Sequence, residues 1–555
     1  MKKVFIFPFL SILFLTIMIG KAQNENGGIP YSFSAKRLSM NIPQMELASV
    51  DHAALLKEDA AQERNSPLRI SVHQTLNYTM KNAGRLDVLD DGSKLWRVNI
   101  KSPNAYALYL HFSSFEIPKG ASLFAYSPDQ QFVRGKYTHK NEGEDFYVLD
   151  IPGDEIIVEY YEPAGAAFEG HFEIVDVGHL YRNVLTSKGG LGDASGNCHI
   201  NVVCPEVQEW LDQANSVVCI LILVQGNGFL CTGALINNTR YDKRPYVYTA
   251  AHCYKSNATW VFYFDYKSSS CNSNSDNSKG TEVRGGVVRA VDFEGSETTL
   301  AGMVKGPDFM LLEITGTFPN AIRDRLYFAG WDLSTSAPSV GAAIHHPAGD
   351  FKKFSKPATV ISYSSPSSYY WQTNWIKGAE NKGVTEVGSS GSPLFNAEGY
   401  IVGHLSRGLS YCENQQINGT SQPDYYGKTT SSWTFKSDSA TQLKYWLDPD
   451  DKGLTKLSGI YYSQDPPLEN VIKEQNGFTV NLYPNPTTGT VKINGNFNGE
   501  VIQCNIYSIL GALVYQENVT ASDEFELKLD LMNGVYFIEL QGIQKKTTQK
   551  LLIFK

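Results

Sequence analysis

The sequence has no Cys-x-x-Cys pair, no dense lysine/arginine block and, beyond residue 22, no apolar run long enough to cross a bilayer. Each absence excludes something. Zinc ribbons need paired thiolates at short spacing. Nucleic-acid binding by phosphate neutralisation needs a basic stripe, yet Asp and Glu (57) outnumber Lys and Arg (48) and the net charge is −9. A stable membrane span needs about twenty apolar residues. No internal repeat is present either, and no cysteine precedes Cys198.

The remainder is globular material. At about 150 residues per domain, 555 residues make three or four domains. With 42% hydrophobic and 19% charged residues the chain can bury a core and is not a disordered tail. Abundant Tyr (31), Phe (28) and Gly (47) favour strands and turns over helical bundles. Residues 1–22 read as a secretory signal peptide. Lys2 and Lys3 form its positive end, residues 4–19 its apolar run, and Gly20-Lys21-Ala22 a small-residue cleavage site after Ala22. Export means an oxidising environment, so the seven cysteines between Cys198 and Cys412 read as disulfides that mark a central domain.

Composition shifts divide the rest. Residues 23–188 contain a β-rich domain, with short strands at 95–100, 105–112, 122–126 and 156–161 separated by Pro/Gly turns, which reads either as an accessory domain or, more sharply, as a pro-region. Residues 183–197 are small, polar and glycine-rich, the composition of an exposed, nickable linker. Residues 189–462 form the cysteine-bearing domain, 463–478 a linker containing Pro466-Pro467, and 479–555 a small all-β tail.

Three patches in the central domain offer chemistry: Thr249-Ala250-Ala251-His252-Cys253, Pro307-Asp308-Phe309-Met310-Leu311-Leu312, and Gly388-Ser389-Ser390-Gly391-Ser392-Pro393. Singly, each has a bland reading: a structural histidine, a turn aspartate, a Ser/Gly loop. Together they supply a general base, a carboxylate to orient it, and a serine nucleophile flanked by glycines whose amides can face an oxyanion. Adjacent His345-His346 lacks acidic or histidine partners at ligand spacing, so a metal site is not expected there.

These motifs resemble those of the chymotrypsin-like serine endopeptidases, and more closely the bacterial lysyl endopeptidases of that clan. Cys198, Val202-Val203-Cys204-Pro205-Glu206, Cys231-Thr232-Gly233, Ala329-Gly330-Trp331-Asp332, Ile344-His345-His346-Pro347, Gly383-Val384-Thr385-Glu386 and Trp446-Leu447-Asp448-Pro449 carry the closer likeness. The resemblance implies an all-β fold with two six-stranded barrels as catalytic domain, flanked by an N-terminal β-sandwich-like pro-domain and a small C-terminal β-sandwich. It implies His252 as base, Asp308 as its orienting group, Ser390 as nucleophile, and the amides of Gly388 and Ser390 as oxyanion hole. Disulfides Cys198–Cys412, Cys204–Cys271 and Cys231–Cys253 follow from it, leaving Cys219 as a buried core thiol. The pocket charge is expected from Asp424, since Val384 stands where trypsin-like members have their aspartate, and Trp375 is expected to pack on a lysine stem. The family's pocket histidine is replaced by Ser406 here. No cofactor is required by this chemistry.

Lys188-Gly189 offers a lysine-specific enzyme its own maturation site. The tail, with Asn481-Leu482-Tyr483-Pro484-Asn485-Pro486 and the closing Lys550-Leu551-Leu552-Ile553-Phe554-Lys555, resembles the C-terminal sorting domains of Bacteroidetes type IX secretion cargo. This implies export to the cell surface or beyond, with the secretion machinery and protein or peptide substrates as partners. Cleavage after lysine is the expectation, arginine/lysine specificity the alternative within enzymes, and an inactive surface adhesin the alternative outside them.

Overall fold

The strand Val217–Val224 shows why the centre of this chain is organised as it is. Its sequence, Val-Val-Cys-Ile-Leu-Ile-Leu-Val, is apolar at every position because both of its faces are covered. Val218, Ile220 and Ile222 point into a barrel core with Leu235, Val247, Phe262 and Leu312. Cys219, Leu221 and Leu223 point the other way, against Leu68, Ile70, Tyr109 and Leu149 of the N-terminal region. A fully buried leucine of this kind stabilises by about 1.5–3 kcal/mol.

The computed structural model describes residues 23–24, 27–34, 41–62, 66–141, 146–184, 195–272, 280–293, 305–363, 368–376, 383–413, 416–417, 422–465, 480–497, 499–509, 511–521, 523–542 and 546–555. Ala22, Lys188 and Pro466-Pro467 lie outside the described residues. The chain separates into two compact units, Met1–Gln464 and Asp465–Lys555.

In the first unit, Val217–Val224 pairs with Asn227–Leu235 and with Thr259–Phe264. Asn227–Leu235 continues to Tyr246–Ala250, and that strand to Phe309–Ile314. Phe309–Ile314 pairs with Gly286–Val291, while the preceding Thr281–Arg284 pairs back with Thr259–Phe264 and closes the ring. Gly285 makes the corner between those two segments at φ +90°, and a Cβ there would lie 2.5 Å from Thr315 Oγ1. Counting the bent pair as one strand, this is a six-stranded barrel.

The second barrel is built the same way. Val340–His345 pairs with Pro393–Asn396, which pairs with Ile401–Gly408, then Asp424–Lys428, then Tyr370–Trp375 and Pro357–Ser362. Lys353–Ser355, one residue before Pro357, returns to Val340–His345. The fold is thus the expected double barrel of the chymotrypsin-like class. Tyr248, Phe309 and Leu311 of the first barrel share one core with Trp331, Ile344 and Ile401, so the two barrels are packed rather than tethered.

Residues 66–184 form a sandwich of two sheets. Trp96, Val98 and Ile100 on one face Leu108, Leu110, Phe112, Ile174 and Val177 on the other. Its strand Leu68–Tyr78 also pairs with Asn227–Leu235 of the first barrel, Gly228 opposite Ser71 and Leu230 opposite Leu68. The sandwich therefore continues into the barrel sheet. That pairing joins residues far apart in the chain, and no local motif announces it.

The second unit packs a three-stranded sheet (Val480–Tyr483, Thr490–Gly495, Glu524–Lys528) on a four-stranded one (Val501–Ser508, Leu513–Thr520, Gly534–Gln541, Lys546–Ile553). Val491, Ile493, Ile502, Cys504, Ile538 and Leu551 fill the space between them.

Candidate active site

His252 sits in a single turn, Ala251–Cys253, that ends the strand Tyr246–Ala250. The neighbouring Cys253 is bonded to Cys231 on the adjacent strand, which fixes this turn to the barrel wall. Asp308 lies across from it, just before the strand Phe309–Ile314, whose Phe309 pairs with Ala250. The Asp308 carboxylate accepts from both the backbone N–H of His252 (3.0 Å) and its ring Nδ1 (2.8 Å). The ring proton therefore resides on Nδ1 and the Nε2 lone pair is left uncommitted. Nε2 is buried and has no hydrogen-bond partner.

Asp308 is 1% exposed and adopts φ 59°, a region uncommon for residues other than glycine. Its surroundings hold it there. Its N–H donates to Asp292 (2.9 Å), and its carbonyl accepts from Ala251 N–H (2.9 Å) and from His404 Nε2 (2.7 Å). Ser406 donates its hydroxyl to Asp308 Oδ2 at 2.6 Å. Burial pushes His404 down to about 4, so it serves as a neutral donor.

Ser390 occupies a turn bracketed by Gly388 (φ +97°) and Gly391 (φ +81°). A Cβ on Gly391 would lie 2.0 Å from Thr249 Oγ1, so only glycine lets this turn lie against the strand that carries His252. Thr232 clamps the turn from below, its N–H donating to the Ser390 carbonyl (2.8 Å) and its hydroxyl to the Gly388 carbonyl (2.9 Å). The amides of Gly388 and Ser390 have no partner among the described residues. Ser390 Oγ and His252 Nε2 do not bond to each other here.

A directed hydrogen-bond chain supports this turn from behind. Glu386 N–H donates to Ser389 Oγ (3.2 Å), and Ser389 donates to His345 Nδ1 (2.7 Å). His345 Nε2 donates to Ser355 Oγ (2.9 Å), and Ser355 to the Val384 carbonyl (2.8 Å). His345 is thereby committed to the core. His346 is also buried, its Nδ1 donating to the Asp350 carbonyl (3.0 Å). The two clusters of metal-ligand types among the described residues each contain a cysteine pair already oxidised, Cys198–Cys412 and Cys204–Cys271. Cys219 is a free, fully buried thiol, pushed up to about 12 by desolvation.

Asp424 is fully buried at the start of the strand Asp424–Lys428. Its Oδ2 accepts from Trp375 Nε1 (2.7 Å), Thr385 Oγ1 (2.6 Å) and Ser410 Oγ (2.5 Å), and its Oδ1 from Ser410 N–H (3.2 Å). Desolvation raises its pKa and these donors oppose the rise. Trp375, read from the sequence as packing on a lysine stem, meets Asp424 through its indole N–H. Thr385, although inside the Gly383–Glu386 motif, and Ser410, outside any motif, were not legible as partners of Asp424, since only folding brings them to its carboxylate.

The site opens into a cavity of about 550 Å³ lined by Ser390, Ser406, Gly408 and Ser410 on one side. Its opposite wall comes from the N-terminal region: Leu56 and Asp59 of the helix His52–Ala60, with Leu68 and Arg69. Asp59 anchors that helix by ion pairs to Arg69 and Arg182 (2.8 Å each) and accepts from the Tyr181 hydroxyl (2.5 Å).

Residues 192–427 match the family described as lysyl endopeptidase, C-terminal domain, and residues 481–554 match the secretion system C-terminal sorting domain. The sorting domain marks the chain as an exported protein. The chain is 28% identical over 284 residues to a lysyl endopeptidase of Pseudomonas aeruginosa, a match covering 47% of this chain and 56% of that protein. It therefore spans little more than half the length of that relative. Among solved structures it is similar to protease Anisep of Arthrobacter nicotinovorans (TM-score 0.28, 16% identity, 39% of this chain and 90% of that one). It is also similar to the thermostable serine protease AL20 of an extremophilic microorganism (TM-score 0.28, 12% identity, 39% and 92%). Among the described residues no helix is long and apolar enough to cross a membrane.

Proposed function

We propose that this chain, which carries a lysyl endopeptidase C-terminal domain and a secretion sorting domain, is a secreted serine endopeptidase that cuts on the carboxyl side of lysine. The observation that carries the reading is the His252–Asp308 pair: two hydrogen bonds to one buried carboxylate, with Nε2 left unpartnered. In the mechanism, Nε2 takes the Ser390 hydroxyl proton as Oγ attacks the scissile carbonyl. Asp308 holds the ring's tautomer and stabilises the imidazolium. The unbonded amides of Gly388 and Ser390 receive the oxyanion. His252 then gives its proton to the leaving amine, and water repeats the sequence on the acyl-enzyme. Nucleophile–base hydrogen bonds are often unformed before substrate binds, in keeping with the separation of Ser390 Oγ and Nε2.

Lysine selection rests on Asp424. Its carboxylate is desolvated before substrate arrives, so a cation in the pocket completes it and a neutral side chain leaves it unpaired. Arginine specificity would use the same carboxylate. The inactive-adhesin alternative has no observation in its favour.

Residues 23–188 are proposed as a pro-region. The reading is supported by the helix His52–Ala60, whose Leu56 and Asp59 wall off the cavity in front of Ser390. Cleavage after Lys188 would sever it, as cleavage after Ala22 would remove the leader. The tail is proposed to address the chain to a type IX secretion system, as in Bacteroidetes cargo. Labelling by a serine-directed phosphonate tests the enzyme reading: the label should go to Ser390 and be absent from a Ser390→Ala variant.

A further inference from the structure

The cleft contains a positive charge that the mechanism does not use. Arg407 follows Ser406 on the strand Ile401–Gly408 and lines the same cavity as Ser390 and Gly408. Its guanidinium lies over two rings, 4.7 Å from the centroid of Tyr370 and 5.1 Å from that of Tyr425. Its Nη1 is buried and has no hydrogen-bond partner, and among the described residues no carboxylate lies within ion-pairing distance.

That is unlike three other buried or half-buried arginines here. Arg134 pairs with Asp150 and Glu282, Arg97 with Asp87, and Arg69 with Asp59. Asp59 lines the same cavity as Arg407 but is engaged by Arg69 and Arg182. A half-buried guanidinium that is stacked on two rings and has no carboxylate partner is preorganised for a planar anion: the rings restrict its orientation while it lines the cavity.

The backbone indicates what passes by. Up to Leu405 this strand is bonded on both sides, Leu405 to Ser392 and Gly391 on one and Tyr426 on the other. Beyond Leu405 only the Asp424–Lys428 strand pairs with it, Arg407 opposite Tyr425 and Gly408 opposite Asp424. The other edge of Ser406–Gly408 has no strand partner among the described residues. An extended peptide can add there by main-chain bonds, its side chains alternating at about 3.3 Å per residue. With its lysine at Asp424, beside Gly408, the residues before the lysine run past Arg407.

We infer that Arg407 is a specificity-determining residue that selects an acidic side chain two to four residues before the cleaved bond. The inference rests on the lysine-cleavage reading for the peptide's register. The test uses protein matured from the full-length chain and peptides containing one lysine. Glu is compared with its isostere Gln at the second, third and fourth positions before that lysine. At one of these positions kcat/KM should be about tenfold higher for Glu, the difference lying in KM and shrinking at high salt. Arg407→Gln should flatten the ratio, Arg407→Lys should retain part of it, and Arg407→Glu should invert it, which misfolding cannot mimic. A ratio near one at all three positions, or one that survives Arg407→Glu, overturns the inference. Cleavage after a residue other than lysine with an Arg407-dependent Glu preference would overturn the lysine reading and leave the subsite standing. Lysine cleavage with a flat ratio would do the reverse.

Discussion

Ser406 donates its hydroxyl to Asp308 at 2.6 Å, onto the same carboxylate oxygen that holds His252 Nδ1 at 2.8 Å. One atom thus ties the second barrel to the histidine of the first. The sequence marks Ser406 only as the residue standing where the resembled family has a pocket histidine. In the fold it braces the carboxylate. Ser406→Ala should lower kcat about tenfold with KM little changed, the usual value of a hydrogen bond to a charged group. Steady-state kinetics on one lysyl substrate checks this. A KM effect alone would place Ser406 in substrate binding instead.

Asp424→Asn keeps the size of the side chain proposed as the pocket floor and removes its charge. It should lower kcat/KM on lysyl peptides by about 10²–10³-fold, the range for losing one member of a desolvated charge pair. Its effect on a neutral substrate should be far smaller. Equal losses on both would mean that Asp424 acts through folding.

Acid should destabilise the first unit before it unfolds the chain for general reasons. Burial lowers His179 and His404 to about 4 and His346 to about 3, and His345 lies well below the ordinary value of 6.5. Between pH 6.5 and 4 the unfolded chain binds protons at these sites that the folded chain refuses. Stability therefore falls as pH falls through that window, by up to about 1.4 kcal/mol per pH unit per group. Lys352, fully buried and lowered to about 7, adds the same sign between pH 7 and 10.5. Calorimetry should show Tm rising from pH 5 to pH 8.5. A flat or falling Tm would mean that these groups are solvated.

Replacing Cys231 and Cys253 together by serine should cost about 3 kcal/mol, since the bond closes a loop of 22 residues. Activity should fall more steeply with temperature than in the parent, because the bond anchors the turn carrying His252. Melting curves and activity against temperature on the same preparation check both statements.

What the sequence made legible and what it hid follow from chain distance. The barrels could be expected because the motifs around His252, Asp308 and Ser390 resemble those of the chymotrypsin-like serine endopeptidases, a likeness that implies that fold. His252, Asp308 and Ser390 could be nominated because each sits inside a contiguous motif. The surroundings of Asp424 could not. Trp375 was expected near it from the resemblance, but its indole N–H bond was not, and Thr385 and Ser410 reach the carboxylate from two further segments with nothing local to announce them. Nor could the pairing of Leu68–Tyr78 with Asn227–Leu235, a strand addition set by register and exposed edge rather than by sequence pattern. The chain Glu386–Ser389–His345–Ser355–Val384 is of the same kind: adjacent histidines suggested only the core, and the fold supplies the bonds.

The central claim is a Ser390-dependent cut after lysine. Its most direct test is mass spectrometry of a denatured protein digested by the matured enzyme, beside a Ser390→Ala control. Loss of the nucleophile in such a triad costs about 10⁶-fold in rate. The account predicts new termini after lysine alone, all absent from the control. Equal cleavage after arginine would contradict the specificity, and the absence of any Ser390-dependent termini would contradict the enzyme.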